Sequence, residues 1–425
     1  MCVSLIRVTH RADQKPDHTT LTSNAPAMAT PDRFTYPIDT THSPQNESKV
    51  VLLTGVNGYI ASHIALLLLR KGYTVRGTSR STSTPSRLLS QSAFLPYAST
   101  GRLQHIVVTD ITVAGAFDEA VRGVHAIIHA ASPVDFRLSS VDEFFRPAIE
   151  GVQSLLQSAY LENRDHKGQI SSFVQLSSIA AIVDKWRFPP ISEGGVENRA
   201  YTEDDWNLSG EAVARKSESD GKFLPMVAYG ASKAAAERSM WTFVETATQS
   251  QGEWVGPACT SINPGVVTGP PVNWPDSPDA LNTTLLPVWN IWSGKCKAED
   301  RLPPQIGGAT YIDVRDVAAL HVWAIENPEA STGQRYFATN GKAPPQGIAD
   351  TIRKLYDHDE KVKERIILGE SGRGYVTAFG WPGDEPTCKA TKAYQALGVE
   401  RFRAFEESIA DTVEAFRMRW PELGL

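Results

Sequence analysis

Tyr229-Gly230-Ala231-Ser232-Lys233 pairs a phenol with an amine four residues on, a spacing that can do chemistry. On a helix, positions i and i+4 share one face. A tyrosine and a lysine so spaced can point into the same cleft. A free tyrosine ionises near pH 10, which makes it a poor acid or base at neutral pH. A unit positive charge about 4 Å away, at an effective dielectric of ~20, is worth about 4 kcal/mol. That is enough to lower the phenol by up to about three pH units. Lys233 also suits a cofactor ribose. Ser177-Ser178 follows a strand-like segment, and Ser178 can donate a hydrogen bond to a carbonyl oxygen on which negative charge develops. Each motif alone is common, as a surface helix or a loop serine. Together, in this order, they describe proton transfer to or from a substrate oxygen.

Such a site needs a redox partner, and an upstream turn supplies the place for one. Thr54-Gly55-Val56-Asn57-Gly58-Tyr59-Ile60-Ala61 joins an apolar run, Val50–Leu53, to a helical segment, Ile60–Arg70. Glycine suits a tight strand-to-helix turn and the close approach of a pyrophosphate. The helix start then offers free N–H groups and a positive dipole end. Gly55, Asn57, Gly58, Tyr59 and Ile60 are the candidate dinucleotide contacts in this turn, and Ala61 is small enough for close packing. The spacing is Gly-x-x-Gly-x-x-Ala, confirmed by its strand–turn–helix context rather than by the glycines alone. The second strand, Tyr73–Thr78, is followed by Ser79-Arg80-Ser81, with no acid before Asp110. An NAD enzyme usually places a carboxylate there for the ribose 2′-hydroxyl. Arg80 instead offers a planar fork for a 2′-phosphate, with Arg76 and Arg87 as lesser candidates. NADP(H) is therefore the preferred cofactor, and NAD(H) remains admissible.

The surrounding pattern predicts the elements that hold these residues. Further strands are expected at Leu103–Val108, Ala126–His129, Ser172–Leu176 and Cys259–Ile262, and helices at Gly115–Arg122, Val141–Glu162 and Tyr229–Thr246. Ser79–Ser86 reads as a polar loop. Strands alternating with helices imply an α/β fold, a Rossmann-like doubly wound parallel sheet. A smaller, mainly C-terminal substrate-binding lobe is expected beside it. Residues 1–46 read as a disordered tail, 47–266 as the NAD(P)-binding domain, and 267–425 as mainly the substrate lobe. About 305–340 is expected to return to the first domain, with a strand and helix over Tyr311–Ala324 and a strand at Arg335–Ala338. Trp274, Trp289 and Trp292 either line an apolar pocket or fill the lobe's core. Tyr201–Trp206 contains three acids but lacks the alternating ligands of a calcium loop. It reads as a helix start with Thr202 as cap and Asp205 three residues on.

Composition excludes several classes. The chain has 425 residues, 41% hydrophobic and 21% charged, so it needs neither metal nor disulfides to build a core. Its net charge of −6 is the wrong sign for a duplex-binding protein, so no nucleic-acid partner is expected. The longest aliphatic run, Ile64–Leu69, is far short of the ~20 residues that span a bilayer, so no membrane partner is expected. Four scattered cysteines fit a reducing compartment and make a zinc site improbable. His125 and His129 would lie about 13 Å apart on a strand, too far to share a metal. No metal is expected. Arg7 and Arg11 give the N-terminus a faint transit-peptide character, which Asp13 and Asp17 oppose. The expected location is the cytoplasm rather than the mitochondrion.

With these residues in view, the chain resembles the extended short-chain dehydrogenase/reductase family, within the NAD-dependent epimerase/dehydratase superfamily. The likeness is greatest to its dihydroflavonol-reductase-like branch, with that branch's fungal aldehyde and ketone reductases. Besides the turn, Gly72–Thr78, Ser177-Ser178 and Tyr229–Lys233, it rests on His129-Ala130-Ala131-Ser132-Pro133, Asn263–Pro270 and Tyr311–Ala318. The resemblance implies Ser178, Tyr229 and Lys233 as the catalytic triad and Arg80 as the 2′-phosphate contact. It also implies Asp110-Ile111 beside the adenine, Ala130, Ala131 and Ser132 along the cofactor, and Pro264 with Val266 at its nicotinamide end. The expected reaction is NADPH-dependent reduction of an aldehyde or ketone to an alcohol, or its reverse. Val183 stands where the plant flavonoid reductases place an asparagine, which argues against a flavonoid. A 3β-hydroxysteroid dehydrogenase or nucleotide-sugar epimerase is the alternative enzyme reading. Val272–Trp292 holds no Lys or Arg for a nucleotide diphosphate. An NADP(H)-sensing regulator is the non-enzymatic alternative.

Overall fold

The apolar run at Val50 forms an interior strand of a parallel sheet, as a strand without a polar face must. The computed structural model describes residues 35–81, 83–132, 136–166, 169–187, 199–252, 254–305, 310–372 and 387–423. Its strands are β1 Val50–Thr54, β2 Thr74–Ser79, β3 Leu103–Val107, β4 Ala126–His129, β5 Ser172–Leu176, β6 Ala200–Tyr201, β7 Ala258–Pro264, β8 Val266–Thr268, β9 Tyr311–Asp313, β10 Gln334–Ala338 and β11 Thr387–Cys388. The first helices are α1 Tyr59–Arg70, α2 Ser83–Ser90, α3 Leu95–Ser99, α4 Asp118–Val121, α5 Val141–Asp165, α6 Gly210–Ser219 and α7 Pro225–Gln251. Then come α8 Leu286–Trp292, α9 Lys295–Ala298, α10 Val314–Glu326, α11 Pro328–Ser331, α12 Pro345–Leu355, α13 Glu360–Arg365, α14 Thr391–Leu397 and α15 Phe405–Arg419.

Seven strands form one sheet in the order β10-β7-β5-β4-β1-β2-β3, all of them parallel. The order reverses between β1 and β4, the switch point at which open α/β sheets bind ligands. Val51 and Leu53 of β1 face a core shared with α1 and α10. Leu52 faces the opposite core, with α5 and α7. This is the Rossmann-like doubly wound arrangement. Register aligns the strand ends, with Thr54 opposite His129, Leu176 opposite Ile262 and Pro264 opposite Ala338. A side chain just past any of these strands therefore reaches the same edge. Among the described residues, no helix is long and apolar enough to cross a membrane.

A second core joins α8, α12, α13 and α15. Trp289 and Trp292 are buried in it. Phe416 packs edge-on against Trp274 and Trp289, with ring centroids 6.4 and 5.3 Å away. Trp420 crosses the same two tryptophans at 5.4 and 5.1 Å. Trp289 and Trp292 thus fill the core, and Trp274 packs half-buried against it.

Three local expectations change. Residues 35–46 pack instead of hanging free. Tyr36 is buried beside α1, with its hydroxyl 3.1 Å from His63 Nδ1. Asn46 Nδ2 donates to the Lys71 carbonyl, and Arg403 Nη2 holds the Thr35 carbonyl. The remainder of the expected disordered tail, residues 1–34, lies outside the described residues. The polar run after β2 enters α2, because Leu88 in its second turn is buried in the core. Tyr201–Trp206 starts no helix. The capping-type bonds form, with Asp205 Oδ2 accepting from Thr202 N and Thr202 Oγ1 from Asp204 N. The carbonyls a helix would use are taken elsewhere, since Glu203 O and Asp205 O both accept from Arg335 Nη1.

Because Phe416 is fully buried against three tryptophans, Phe416→Ala should cost about 3–5 kcal/mol, read as an earlier midpoint in urea unfolding.

Candidate active site

The turn after β1 is shaped by close backbone approach. Gly55 has φ +65°, and a Cβ there would lie 3.1 Å from Ala131 Cα. A Cβ on Gly58 would meet the Gly55 carbonyl at 3.1 Å, the same carbonyl that accepts the Gly58 N–H at 2.8 Å. Thr54 Oγ1 accepts from both Ala130 N and Ala131 N at 3.0 Å, drawing the segment after β4 against the turn. The helix α1 begins at this point with no side-chain cap and no acid in its first turn. Its leading amides, at Tyr59, Ile60 and Ala61, are thus free to face an anion, as unpaired helix N-termini do. Asn57 O accepts from Asn273 Nδ2, and the Tyr59 hydroxyl donates to Gly269 O at 2.6 Å. The Tyr59 side chain is therefore a brace to the second lobe, and its backbone N–H is what faces the turn.

Arg80 stands exposed just past β2, next to β1 in the sheet. The two lesser candidates are engaged. Arg76 donates to the carbonyls of Ala120 and Arg122, and Arg87 meets Asp276. Past β3, Asp110 is exposed and accepts from Thr112 N and Thr112 Oγ1, which holds its carboxyl below the usual range. The side chain of Ile111 packs on Gly151 of α5. Ser132 follows Ala131 and is half-buried. Pro264 ends β7 and Val266 opens β8, where its N–H donates to Thr310 O at 2.7 Å.

Ser178, Tyr229 and Lys233 meet at the end of β5. Ser178 caps a short 3-10 turn, accepting from Ala180 N at 3.1 Å, which leaves its own hydroxyl proton to donate. The long helix α7 starts with proline at its first turn, where the missing N–H costs nothing. Tyr229 lies in its second turn. Burial pushes the Tyr229 phenol up, and a hydrogen bond with Ser178 opposes that rise. Phe136 meets the Tyr229 ring edge-on, 5.5 Å between centroids. Lys233 is buried and donates to the Leu176 carbonyl at 2.9 Å. Burial pulls its ammonium down to about 8, against the pull of Glu237. Lys233 thus holds its ammonium at the end of β5, on the helix face it shares with Tyr229. His129 is held neutral, at about 3, by burial and then by the Lys233 charge. It packs beside Phe173 and meets Thr54 Oγ1 at 2.9 Å.

Three residues of this site were given no role by the sequence. Thr54 opens the quoted glycine turn as the end of its strand. Asn263 sits inside a quoted stretch without a role. Glu237 follows Lys233 by four residues, a spacing that signals a shared helix face. No group of three or more His, Cys, Asp or Glu among the described residues could hold a metal.

Residues 51–338 match the family model of the NAD dependent epimerase/dehydratase family. The chain belongs to that family. A ketoreductase of Aspergillus niger is 34% identical over 313 residues, 73% of this chain and 83% of its own. An NADPH-dependent methylglyoxal reductase of Saccharomyces cerevisiae is 29% identical over 368 residues, 85% of this chain and 96% of its own. The crystal structure of a yeast methylglyoxal/isovaleraldehyde reductase complexed with NADPH superposes with a TM-score of 0.70 at 26% identity. That likeness covers 88% of this chain and 99% of the yeast one.

This member of the epimerase/dehydratase family has the donor set a dinucleotide requires. Gly55 and Gly58 leave a cradle that a Cβ would obstruct. The uncapped start of α1 offers N–H groups to a pyrophosphate. Among Arg76, Arg80 and Arg87, only Arg80 has no hydrogen bond or ion pair among the described residues, leaving it available for a 2′-phosphate. Gly55→Ala places a Cβ against Ala131 in a left-handed conformation that costs a side-chain-bearing residue about 1–2 kcal/mol. NADPH should then bind roughly 5- to 30-fold more weakly, since 1.4 kcal/mol is a factor of ten, as read by quenching of protein fluorescence.

Proposed function

We propose that the chain is an NADPH-dependent oxidoreductase that reduces an aldehyde or ketone to an alcohol, with Tyr229 as proton donor. One observation carries the reading: Ser178 and the Tyr229–Lys233 helix face converge at the sheet edge beside the β1–α1 turn. The activities named for the Aspergillus and yeast relatives support the same reaction class. When bound, NADPH supplies the hydride that reduces the carbonyl carbon. Arg80 and the first-turn amides of α1 would hold its phosphates, and Asp110 and Ile111 would flank the adenine. Ala130, Ala131 and Ser132 would line the cofactor, with Pro264 and Val266 toward the nicotinamide.

Ser178 Oγ donates to the substrate oxygen and strengthens that bond as negative charge grows there. Tyr229 Oη gives its proton to the same oxygen. Burial keeps the phenol protonated through neutral pH, which suits a donor to an alkoxide. Lys233, charged below about pH 8, stabilises the phenolate that remains and holds the ribose. Residues 47–266 form the cofactor unit and 267–425 mainly the substrate lobe. The return of 305–340 to the first unit is supported by β10 pairing with β7. Val272–Trp292 offers no cation to a nucleotide diphosphate, which favours small carbonyl substrates over the epimerase reading. Cys259, Cys296 and Cys388 are free thiols, as suits a cytoplasmic protein.

Tyr229→Phe should lower NADPH-dependent reduction of an aldehyde by ~10²-fold or more while NADPH binding stays within a few-fold. A variant that binds and turns over like the wild type would exclude Tyr229 as donor. Arg80→Ala should weaken NADPH by roughly tenfold, about 1.4 kcal/mol for a lost charge-assisted contact, and leave NADH unchanged, as read by competitive titration.

A further inference from the structure

Glu237 takes no part in the proton transfer above, yet it is tied to each element that carries it. It is fully buried one turn beyond Lys233, so Tyr229, Lys233 and Glu237 follow one another along a single face of α7. Its Oε2 accepts from Ser177 Oγ at 2.7 Å and from Asn263 Nδ2 at 2.8 Å. Asn263 Nδ2 also reaches Ser178 O at 3.2 Å. Its Oε1 accepts from Arg335 Nε of β10 at 2.6 Å. Arg335 in turn donates through Nη1 to Glu203 O at 2.5 Å and Asp205 O at 2.7 Å, and lies 3.6 Å over the Trp206 ring.

We propose that Glu237 is a positioning residue for the reaction, a reading that rests on the roles given above to Tyr229 and Lys233. It clamps the Ser177-Ser178 turn to their helix face and supplies the fixed negative charge that keeps Lys233 an ammonium. Arg335 partly neutralises that charge and joins it to the seating of residues 203–206.

A buried ammonium without a counter-charge is driven neutral. Glu237 is the group that opposes this for Lys233. The other titratable groups facing Lys233 are few. His129 at the end of β4 is neutral, and Tyr229 shares the helix. Ser177 and Ser178 just past β5, and Asn263 on β7, carry no charge. The buried faces of α5 and α6 bear no ionisable side chain except Tyr160, which packs on Phe243 and Trp254 near the far end of α7. A packing role alone would alter stability and rate. A charge role also moves the pH at which the coupled Tyr229–Lys233 pair loses its proton.

The test uses the full chain as Glu237→Gln, Arg335→Gln and the double variant, with Tyr229→Phe as control. Aldehyde reduction is followed across the range in which Lys233 titrates, and NADPH affinity is measured alongside. Glu237→Gln should lower kcat by about tenfold and move its basic limb to lower pH by about half a unit or more. Arg335→Gln, which leaves Glu237 un-neutralised, should move the limb to higher pH, and NADPH affinity should change little in either. Limbs that do not move, or that move together, overturn the proposal. If Glu237→Gln fails to accumulate as folded protein, the double variant replaces it, since it leaves no buried guanidinium without its carboxylate. Its limb must then fall below that of Arg335→Gln, and coincidence of the two is equally fatal. Full turnover in Tyr229→Phe would instead reject the proton-transfer reading. Lost turnover there with an unmoved limb in Glu237→Gln rejects the role of Glu237 alone.

Discussion

Parallel registry is the constraint on which the rest of this protein depends. Hydrogen bonding of β1, β4, β5 and β7 in one direction brings Thr54, His129, Leu176 and Pro264 to a common edge. Segments distant in the chain then leave the sheet within reach of one another. The glycine turn can sit against Ala131 because Thr54 and the amides after β4 are neighbours across a ladder. Ser178 can meet Tyr229 because α7 packs across β5 and the 3-10 turn that follows it. A slip of one strand by one residue would turn Val51 and Leu53 to the wrong core as well as misplacing the site.

The site is also a problem in desolvation. The same burial raises the Tyr229 phenol, lowers the Lys233 ammonium and keeps His129 neutral. Each direction follows from the cost of charge in a poorly hydrated place. The result is a protonated donor beside an amine whose charge depends on its neighbours. The Leu176 carbonyl and the Glu237 carboxylate supply those neighbours, one by hydrogen bond and one by charge.

Polar contacts tie the segment after β8 to the β1–α1 turn and α1. Tyr59 reaches Gly269, His63 meets the Pro270 carbonyl at 2.8 Å, and Asn273 holds the Asn57 carbonyl. Arg315, buried, pairs with Asp313 and reaches Asp411 on α15. These bonds fix the segments around the second core against the glycine turn, while the tryptophan cluster holds that core together.

Local pattern determined much of this. The apolar run at Val50, the glycine turn, the alternation of strands and helices and the i, i+4 spacing of Tyr229 and Lys233 each depend on a few adjacent residues. The parallel sheet and the convergence of Ser178 with Tyr229 follow from them, as does the family. Tertiary structure decided what depends on distant partners. Thr202 and Asp205 form the bonds of a helix start, yet Arg335, 130 residues or more away in sequence, takes the carbonyls and no helix forms. Residues 35–46 have no hydrophobic period and still pack, because Tyr36 finds His63 and a groove beside α1. Lys233 finds its hydrogen-bond acceptor in the Leu176 carbonyl, 57 residues away in sequence at a strand end. Composition and periodicity record what a segment can do alone, and burial and charge at a shared edge belong to the folded chain.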